Sequence, residues 1–524
     1  MPKPTYFITT AIPYATQKPH IGNFYDHVVC DLLARHKRMQ GYDVCFLTGM
    51  DEHGQKVETL ATQAGISPQA YADGITSSVL NIFSTLDISC DRFIRTTDAQ
   101  HEAAVAAVFQ KLYTQGDIYK SAYEGQYCVP CESFWTQSQL TDGNCPDCGR
   151  PVTPAKEDAY FLRLSKYQSW LEAFYDENPH FILPDTRRNE MLNTFIKPGL
   201  QDLCVTRSTF RWGVPVPFDP QHVVYVWIDA LLNYTTALGY NAGENSDDYR
   251  KYWPADVHVI GKDICRFHTI VWPILLHALG EPLPKRVFAH PWLLVGADKM
   301  SKSRGNVIYA DALAARIGGD AVRYFMLAEM PSAVDGTMTY ETVLERYNGD
   351  LANVLGNLVN RTLAMANKYF GGVVPASGEP TALDLELQAF ALQTVQKSEA
   401  YLNDYRFADA MDAMITLAKR LNKYIDETMP WALAKDEAQR GALGNVIYNL
   451  LEGIRFLAAI FAPVMPNAAR SILSQLDPGC DPEVILADIL PTLTRFGGLT
   501  PGVQVTETPK PLFARLELSA VTGE

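Results

Sequence analysis

Two short motifs, separated by most of the chain, carry residue types that bind phosphate groups. The first is Pro19–Asn23, in which His20 and Gly22 lie between an apolar run and a segment with apolar residues at helical spacing. The second is Lys299–Ser303, whose two lysines include Lys302. Imidazole and ammonium groups stabilise developing negative charge on phosphate oxygens, and glycine lets the backbone approach a nucleotide closely. Together the motifs predict the handling of a triphosphate.

The elements that would position His20 are a strand, a turn and a helix. Tyr6–Ile12 is apolar and rich in β-forming residues, and a helical apolar pattern then runs to Gln40. Val44–Thr48 follows as a second strand, which completes a βαβ unit with a right-handed crossover. The first turn of the helix offers unpaired N–H groups and the positive end of its dipole, and both favour phosphate.

The strand pattern returns late in the chain. Val257–Ile260 and Val287–Val295 are predicted to be strands with a helix between them. We therefore predict an α/β fold, with a Rossmann-like parallel-sheet catalytic domain that is interrupted by an insertion and followed by an α-helical bundle. Residues as distant in sequence as His20 and Lys302 are then expected to meet at the carboxyl ends of parallel strands, where open α/β sheets bind ligands.

The pattern also divides the chain into segments. The bundle is predicted from four amphipathic stretches, which are Glu341–Tyr369, Asp384–Tyr405, Ala408–Glu427 and Gly441–Ala462. The predicted segments are 1–115 and 226–340 for the two halves of the catalytic domain, 116–225 for the insertion, 341–498 for the bundle and 499–524 for a tail. Residues 511–517 of the tail are expected to pack back in an extended form.

Four of the ten cysteines form two Cys-x-x-Cys pairs with thirteen residues between them: Cys128 with Cys131, and Cys145 with Cys148. This spacing predicts a zinc knuckle within the insertion 116–225, in which four thiolates hold one tetrahedral Zn²⁺. Four sulfur ligands leave no open position for water, so the ion would be structural. Two disulfides are the alternative, but nothing in the sequence points to the oxidising compartment that they need.

The composition limits the class of protein. The chain has 524 residues, of which 47% are hydrophobic, and a formal net charge of −14. That charge argues against a protein coated in nucleic acid, although an RNA-binding enzyme needs only a local basic stripe. No apolar run approaches the ~20 residues that span a bilayer, and the amino terminus lacks a signal-peptide pattern. We therefore expect a cytoplasmic protein that does not associate with membranes.

With these motifs in place, the sequence resembles the bacterial methionyl-tRNA synthetases, a family of class I aminoacyl-tRNA synthetases. The resemblance covers nearly the whole chain and depends on the joint order of its blocks. These blocks are Ala11–Tyr14, His20–Asn23, Thr48–Gly54, the two cysteine pairs, Val226–Ala230, Gly261–Ile264, Lys299–Ser303 and Met429–Trp431. The resemblance implies a methionine–tRNA ligase whose substrates are methionine, ATP and tRNA(Met).

The resemblance implies a methionine site made of one carboxylate and several aromatic side chains. Asp51 would take the ammonium group, and capping of a helix is the alternative for this residue. The thioether is polarisable and favours ring edges. The side chains around it would be Ile12, Tyr14, Trp227, Ala230, Tyr234 and His268. Without the resemblance, Trp227 and His268 would be read as ordinary core residues.

The implied reaction has two steps and no covalent enzyme intermediate. The methionine carboxylate attacks the α-phosphorus of Mg²⁺-bound ATP, and a terminal 2′-hydroxyl of the tRNA then attacks the methionyl-adenylate. His20, Lys299 and Lys302 would hold the charge on the triphosphate. The other implied ATP-site residues are Gly22, Asn23 and Asp263, the last on the adenosine side.

Two features depart from relatives. Many class I synthetases carry a second histidine where this chain has Asn23, and an amide can donate to an oxygen but carries no charge. The chain also ends without the appended tRNA-binding and dimerising domain of some relatives. We therefore expect a monomer.

The resemblance also assigns the reading of the methionine anticodon to the helical bundle. Asn357 and Arg361 lie four residues apart, so a helix would place them on one face. Trp431 would stack on an unstacked base, as aromatic residues do in the recognition of single-stranded RNA loops. In isolation, a solvated Asn–Arg pair and a core tryptophan after Pro430 would be the simpler interpretation.

Other functions remain open at this level. The chain could be a class I synthetase for cysteine, leucine, isoleucine or valine, a small nucleotidyltransferase, or a non-catalytic zinc and RNA binding protein. The insertion is too short to hold both an editing domain and the knuckle, and a cysteine enzyme would place zinc in its amino acid site. A nucleotidyltransferase would leave the helical bundle without a role. The presence of His20, Asp51 and Lys302 speaks against the binding protein.

Overall fold

The computed structural model describes residues 3–128, 133–135, 137, 140–146, 149–295, 298–299, 307–331, 333–484, 486, 493 and 495–523. The strands are β1 (Thr5–Thr10), β2 (Asp43–Met50), β3 (Arg92–Arg95), β4 (Ile118–Cys128), β5 (Ser133–Trp135), β6 (Thr153–Leu162), β7 (Ile182–Leu183), β8 (Leu203–Cys204), β9 (Thr206–Arg207), β10 (Val223–Val224), β11 (Tyr240–Asn241), β12 (Glu244–Asn245), β13 (Val257–Gly261), β14 (Val287–His290), β15 (Leu293–Val295), β16 (Asp298–Lys299) and β17 (Gly336–Met338).

The helices are α1 (Tyr25–Met39), α2 (Gln55–Ala64), α3 (Pro68–Leu86), α4 (Ala99–Thr114), α5 (Gln168–Glu177), α6 (Asp185–Met191), α7 (Val226–Thr236), α8 (Asp247–Tyr252), α9 (Trp272–Leu279), α10 (Ala310–Ile317), α11 (Gly319–Glu329), α12 (Tyr340–Arg346), α13 (Asn357–Phe370), α14 (Ala382–Asn403), α15 (Phe407–Thr428), α16 (Pro430–Leu433), α17 (Arg440–Phe461), α18 (Pro466–Leu476) and α19 (Leu518–Thr522). Short 3₁₀ turns cover Ile21–Phe24, Ser165–Tyr167, Lys262–Ile264 and Glu437–Gln439, and π-helical segments cover Leu192–Ile196, Phe267–Val271 and Tyr347–Gly356.

The chain forms two compact units. The first contains Met1–Pro19, Asp43–Asn81 and Ser89–His290, and the second contains His20–Tyr42, Ile82–Ile88 and Pro291–Glu524. The five predicted segments are a finer division of the chain and remain a prediction.

The first unit is built on a six-stranded sheet in the order β3-β2-β1-β13-β14-β7, and every pair in it is parallel. Its central strands are buried, as in sheets covered on both faces; residues 7–10 of β1, for example, are all buried. The parallel α/β fold and the predicted strands β1, β2 and β13 are therefore confirmed.

One predicted strand was wrong. The run Val287–Val295 is not continuous, because β14 ends at His290 and pairs with β13, whereas β15 begins at Leu293 and pairs with β17. Pro291 lies at the break. A proline has no N–H to donate to a ladder and fixes φ, so an apolar run that contains one is a poor continuous strand.

The predicted insertion contributes to the sheet and also forms a sheet of its own. β7, from within 116–225, pairs with β14 at the edge of the parallel sheet, which the sequence analysis missed. The rest of the insertion includes an antiparallel sheet in the order β5-β4-β6-β8, in which β4 and β6 form a long hairpin. Cys128 is the last residue of β4, and the other three cysteines of the two pairs follow in the chain before β6.

The second unit contains the predicted helices, with bounds close to expectation for α14, α15 and α17. The predicted stretch Glu341–Tyr369 is instead α12, the π-helical segment Tyr347–Gly356 and α13. Among the described residues, Glu437–Phe461 is the stretch long and apolar enough to cross a membrane, and its apolar window is wholly buried in the protein.

The tail returns to the helices of its own unit, as predicted. Asn348 donates to Leu516 O at 2.8 Å and accepts from Leu516 N–H at 3.0 Å. The buried carboxylate of Glu452 accepts hydrogen bonds from the N–H groups of Gly497, Gly498 and Leu499 at 2.8–3.0 Å. A buried charge is stable where it is satisfied in this way, so Glu452 fixes the start of the tail.

Candidate active site

Aromatic rings from two segments of the first unit meet at α7. The Trp227 ring stacks on Phe267 with centroids 4.1 Å apart and an interplanar angle of 5°, and it lies edge-to-face with His268 at 6.4 Å. Trp227 is only partly buried, whereas Phe267 and His268 are buried. Ile12 and Tyr14 pack against the same hydrophobic core. Phe267 is a residue of this site that no sequence pattern indicated, although it directly precedes His268 in the chain.

Tyr234 lies two turns further along α7 and contacts two histidines. Its hydroxyl is 2.7 Å from His268 Nε2, and its ring stacks on His258 at 4.2 Å. His268 Nδ1 is 3.0 Å from Ile264 O, which can only accept, so Nδ1 carries a proton. In the neutral ring the Tyr234 hydroxyl then donates to Nε2, which fixes the tautomer of His268.

Burial keeps this histidine pair neutral. It lowers the pKa of His268 to about 4, and it lowers the pKa of His258 well below the usual range. Trp272 Nε1–H donates to His258 Nε2 at 3.2 Å, so in the neutral ring His258 Nδ1–H donates to Thr9 Oγ1 at 2.7 Å. A neutral, ring-lined surface of this kind suits an uncharged thioether.

A pH prediction follows from the lowered pKa of His268. Between about pH 5 and 8, kcat/KM for methionine is expected to show no ionisation that belongs to this residue, because His268 stays neutral throughout that range. The measurement is the pH profile of methionine-dependent adenylate formation for the wild type and for His268→Gln. An ionisation near pH 6.5 that the variant abolishes would contradict the lowered pKa.

Asp51 directly follows β2 and is held by backbone bonds to the segment after β1. Its N–H donates to Pro13 O at 3.0 Å, and its carbonyl oxygen accepts from Ala15 N–H at 2.7 Å. These bonds place Asp51 beside Tyr14, with which it forms an isolated parallel bridge. Asp51 does not cap the next helix, because the N-cap of α2 is Gly54. The capping alternative for Asp51 is therefore wrong.

His20 precedes a 3₁₀ turn rather than entering α1 directly. The turn Ile21–Phe24 contains Gly22 and runs into α1. The side-chain oxygen of Asn23 accepts the backbone N–H of His20 at 3.1 Å, and Ile21 N–H donates to Ile308 O at 2.9 Å. Asn23 therefore shapes the turn that presents His20, a role that requires no charge.

Asp263 lies in the first unit, at the carboxyl end of β13. It sits in the 3₁₀ turn Lys262–Ile264, and its side chain is exposed. A Cβ on Gly261 would lie 2.7 Å from Asp263 Oδ1. Glycine at position 261 therefore leaves room for this carboxylate at the strand end.

Several predicted site residues fall outside the described part of the chain. Lys302 and the side chain of Lys299 are among them, although the backbone of Lys299 belongs to β16. Cys131 and Cys148 also lie outside it, whereas Cys128 and Cys145 are buried in one cluster with Trp135. Within the described residues, no three His, Cys, Asp or Glu side chains come together as a metal site.

The predicted anticodon-reading residues lie in the second unit. Asn357 begins α13 and is exposed, and Arg361 follows one turn later, with its Nη2 3.6 Å from Asp426 Oδ1. Trp431, on α16, is 44% exposed, and its neighbour Met429 is 49% exposed. The interpretation of Trp431 as a core residue is therefore wrong, because a core tryptophan would not leave this much of its surface in solvent.

Comparison with known proteins assigns both parts of the chain. Residues 6–153 and 149–363 match the sequence model of the family "tRNA synthetases class I (M)", and residues 374–521 match "Anticodon binding domain of methionyl tRNA ligase". The methionine–tRNA ligase of Caldanaerobacter subterraneus subsp. tengcongensis is 53% identical over 98% of this chain and 80% of its own length. That of Clostridium perfringens is 54% identical over 91% of this chain and 74% of its own length.

Solved structures agree with these sequence matches. The Mycobacterium tuberculosis methionyl-tRNA synthetase in complex with methionyl-adenylate superposes with a TM-score of 0.91 at 41% identity, over 98% of this chain and 100% of that one. The free form of the same enzyme gives a TM-score of 0.85 at 38% identity, over 99% of each chain. Identity at this level, across the catalytic and anticodon-binding parts together, decides against the other class I synthetases and the small nucleotidyltransferases. The chain belongs to the methionyl-tRNA synthetase family.

Proposed function

We propose that this chain ligates L-methionine to tRNA(Met) at the expense of ATP, through a methionyl-adenylate, with release of diphosphate and AMP. The observation that carries the proposal is the neutral aromatic surface of Trp227, Tyr234 and His268, on a chain that belongs to the methionyl-tRNA synthetase family. The ring edges and the hydroxyl of Tyr234 suit a polarisable sulfur.

In the first step, Asp51 binds the ammonium group of methionine. A carboxylate at the end of a parallel strand lies at the edge where such sheets bind ligands, and its hydrogen bond to an ammonium group is charge-assisted. Ile12, Tyr14, Trp227 and Ala230 enclose the side chain, with Tyr234 and His268 at the thioether. Holding both ends of methionine limits the positions that its carboxylate can take relative to the α-phosphorus.

The triphosphate is the part of ATP whose charge must be held during that attack. We assign this role to His20, Lys299 and Lys302, with Gly22 and Asn23 shaping the turn around His20 and Asp263 on the adenosine side. Class I synthetases use ATP with Mg²⁺, which when bound neutralises charge on the phosphate oxygens. In the second step, the 2′-hydroxyl of the terminal adenosine attacks the adenylate carbonyl.

Recognition of the tRNA is assigned to the helical part of the chain. Asn357 and Arg361 project from one stretch of α13, and an exposed Trp431 offers an aromatic face to an unstacked base. Such stacking, together with hydrogen bonds to base edges, is how proteins read single-stranded RNA loops. The proposed role of this surface is to bind the methionine anticodon.

The described residues of the two cysteine pairs fit a structural zinc ion. Cys128 and Cys145 are both buried beside Trp135, and Gly149 N–H, just after the second pair, donates to Cys145 O at 2.8 Å. The φ angle of Gly149 is +69°, a conformation that glycine adopts without strain. Cys128, Cys131, Cys145 and Cys148 would hold Zn²⁺, which when bound would cross-link the two cysteine pairs.

The zinc proposal makes a prediction about Cys145. Cys145→Ala is expected to lower bound zinc from about one ion per chain and to lower the melting temperature. The reason is that the three remaining thiolates cannot complete the tetrahedral site. The measurement is the zinc content of the purified protein by inductively coupled plasma mass spectrometry. Cys204→Ala, at a buried cysteine of β8 in the same antiparallel sheet, is the control and should keep its metal. Unchanged metal content in Cys145→Ala would contradict a four-thiolate site.

The experiment that tests the function is the exchange of labelled diphosphate into ATP, run with each of the twenty amino acids and without tRNA. Exchange with methionine alone supports the proposal, because it requires adenylate formation and reports its substrate. Exchange with a different amino acid would overturn the pocket assignment. No exchange at all would favour the non-catalytic zinc and RNA binding protein. The monomeric state and the cytoplasmic location remain predictions, and light scattering tests the first.

A further inference from the structure

A buried carboxylate on α7 contacts two histidines from other segments of the first unit. Asp229 Oδ2 is 2.7 Å from His53 Nδ1, and Asp229 Oδ1 is 2.8 Å from His101 Nε2. All three side chains are almost wholly buried, at 1–3% exposure. His101 Nδ1 also lies 2.7 Å from Thr236 Oγ1, so His101 contacts two positions that are two turns apart on α7. We call these four residues the Asp229 cluster.

The cluster joins three segments of the chain. His53 lies two residues after Asp51, His101 lies on α4, and Asp229 and Thr236 lie on α7. Residue 52, between Asp51 and His53, is anchored as well: the buried carboxylate of Glu52 accepts from Arg95 Nε at 2.7 Å and from Thr76 Oγ1 at 2.8 Å. The backbone just after Asp51 is therefore held both to α7 and to the segment around Arg95.

The position of α7 matters because two of its faces have different contacts. Trp227, Ala230 and Tyr234 recur at intervals of three and four residues, so they share the face that meets His268 and Phe267. Asp229 and Thr236 are seven residues apart and share another face, which meets His101. A change in the cluster that shifts α7 would therefore also shift the side chains assigned to methionine.

Buried charge interactions between Asp229 and the two histidines make the Asp229 cluster resist displacement. Burial by itself would lower the pKa of His53, but Asp229 and Glu102, whose Oε1 lies 3.3 Å from His53 Nε2, outweigh it and raise that pKa well above its usual range. Burial likewise opposes the ionisation of Asp229, and the two histidines, His53 first, lower its pKa to about 2. A buried carboxylate between two ring nitrogens loses much of its stabilisation when either contact lengthens, because little water is available to replace it.

We infer that Asp229 is a positioning residue of the methionine site. Through His53 and His101 it fixes the position of α7 relative to the segment that carries Asp51. Asp229 itself does not touch the substrate. The inference rests on the proposed function, since it assumes that Asp51 and the α7 side chains bind methionine. It assigns a role to the Thr48–Gly54 and Val226–Ala230 blocks beyond the residues that contact ligand.

The test is Asp229→Asn, which keeps the size of the side chain and removes its charge. In the diphosphate exchange assay, KM for methionine is expected to rise between about 10-fold and 100-fold, since small displacements of binding groups have effects of this size. KM for ATP is expected to stay within about twofold, because no ATP-site residue lies in the cluster. His53→Gln removes one of the two histidine contacts of Asp229. It should also raise KM for methionine, but by a smaller factor than Asp229→Asn.

The matched control is Asp117→Asn, at another buried carboxylate of the first unit. Asp117 accepts from Lys166 Nζ at 2.5 Å and from Tyr167 OH at 2.8 Å, and neither partner is assigned to the site. Asp117→Asn should lower the melting temperature without raising KM for methionine. If Asp229→Asn does not fold, the comparison of His53→Gln with Asp117→Asn decides the same question.

The outcomes separate the two proposals. A selective rise in KM for methionine, absent from the control, supports the positioning role. Equal changes in both KM values, or a loss of activity that follows only the folded fraction, would overturn it while leaving the proposed function intact. A wild type without methionine-dependent exchange would instead overturn the proposed function itself.

Discussion

Replacing Asp51 with asparagine is expected to lower kcat/KM for methionine by about 10²- to 10³-fold, the largest effect on activity among the variants considered. Asp51 is 9% exposed, and its backbone is bonded on both sides to residues 13 and 15, so the substitution should leave the fold in place. What it removes is the negative charge that pairs with the ammonium group. The measurement is the steady-state rate of diphosphate exchange at varied methionine.

The control for this prediction is Asp202→Asn. Asp202 is a carboxylate of the same unit that accepts from Tyr119 OH at 2.8 Å and from Ser165 Oγ at 2.6 Å, and it is not assigned to the site. Its kcat/KM for methionine should equal that of the wild type. A loss in Asp51→Asn that falls on KM for ATP instead would show that Asp51 does not bind the ammonium group.

The sequence was sufficient for the features that depend on local pattern. Apolar runs of four to eight residues located β1, β2 and β13, and long amphipathic stretches located α14, α15 and α17. The resemblance to the synthetase family, and not a local pattern, selected Trp227, Tyr234 and His268, and the structure brings these three residues together around α7. Each strand or helix is encoded by residues close together in the chain, so one sequence can reveal it, whereas the site residues required the family resemblance.

Features that depend on contacts between distant segments were not visible in the sequence. β7 is two residues long, too short for any periodicity, and only its pairing with β14 makes it a strand. Phe267 and His258 lie within apolar runs that mark neither of them as a site residue. Only the structure shows that Trp227 stacks on Phe267 and Tyr234 stacks on His258. The Asp229 cluster joins residues separated by 128 and 176 positions. The partner of a buried charge is set by the tertiary fold, so its identity cannot be read from local spacing.

The largest expected effect on stability belongs to a second buried charge, which the sequence analysis also did not select. Arg323 on α11 and Asp31 on α1 are both 0% exposed, and Arg323 Nη1 lies 2.7 Å from Asp31 Oδ2. The guanidinium also donates to Val464 O at 2.7 Å, to Pro463 O at 2.8 Å and to Leu86 O at 3.1 Å. One side chain therefore ties α1 and the end of α3 to the chain that follows α17, all within the second unit.

Arg323→Met is expected to destabilise the second unit by about 3–5 kcal/mol, because it leaves a buried carboxylate without its main counter-charge and removes a donor from three carbonyl groups. The measurement is thermal and urea unfolding followed by circular dichroism. Arg406→Met, at an exposed pair with Asp409, is the control and should give little or no shift of the transition.

A double variant distinguishes loss of charge from loss of packing. Asp31 retains a second contact, from Arg35 Nε at 2.8 Å, so neutralising it has a cost of its own. If the uncompensated charge dominates, Asp31→Asn combined with Arg323→Met should unfold at a higher temperature than Arg323→Met alone, because the buried carboxylate no longer has to be kept ionised. If the double variant is instead less stable by the sum of the single effects, the carbonyl contacts of Arg323, and not its charge, hold these segments together.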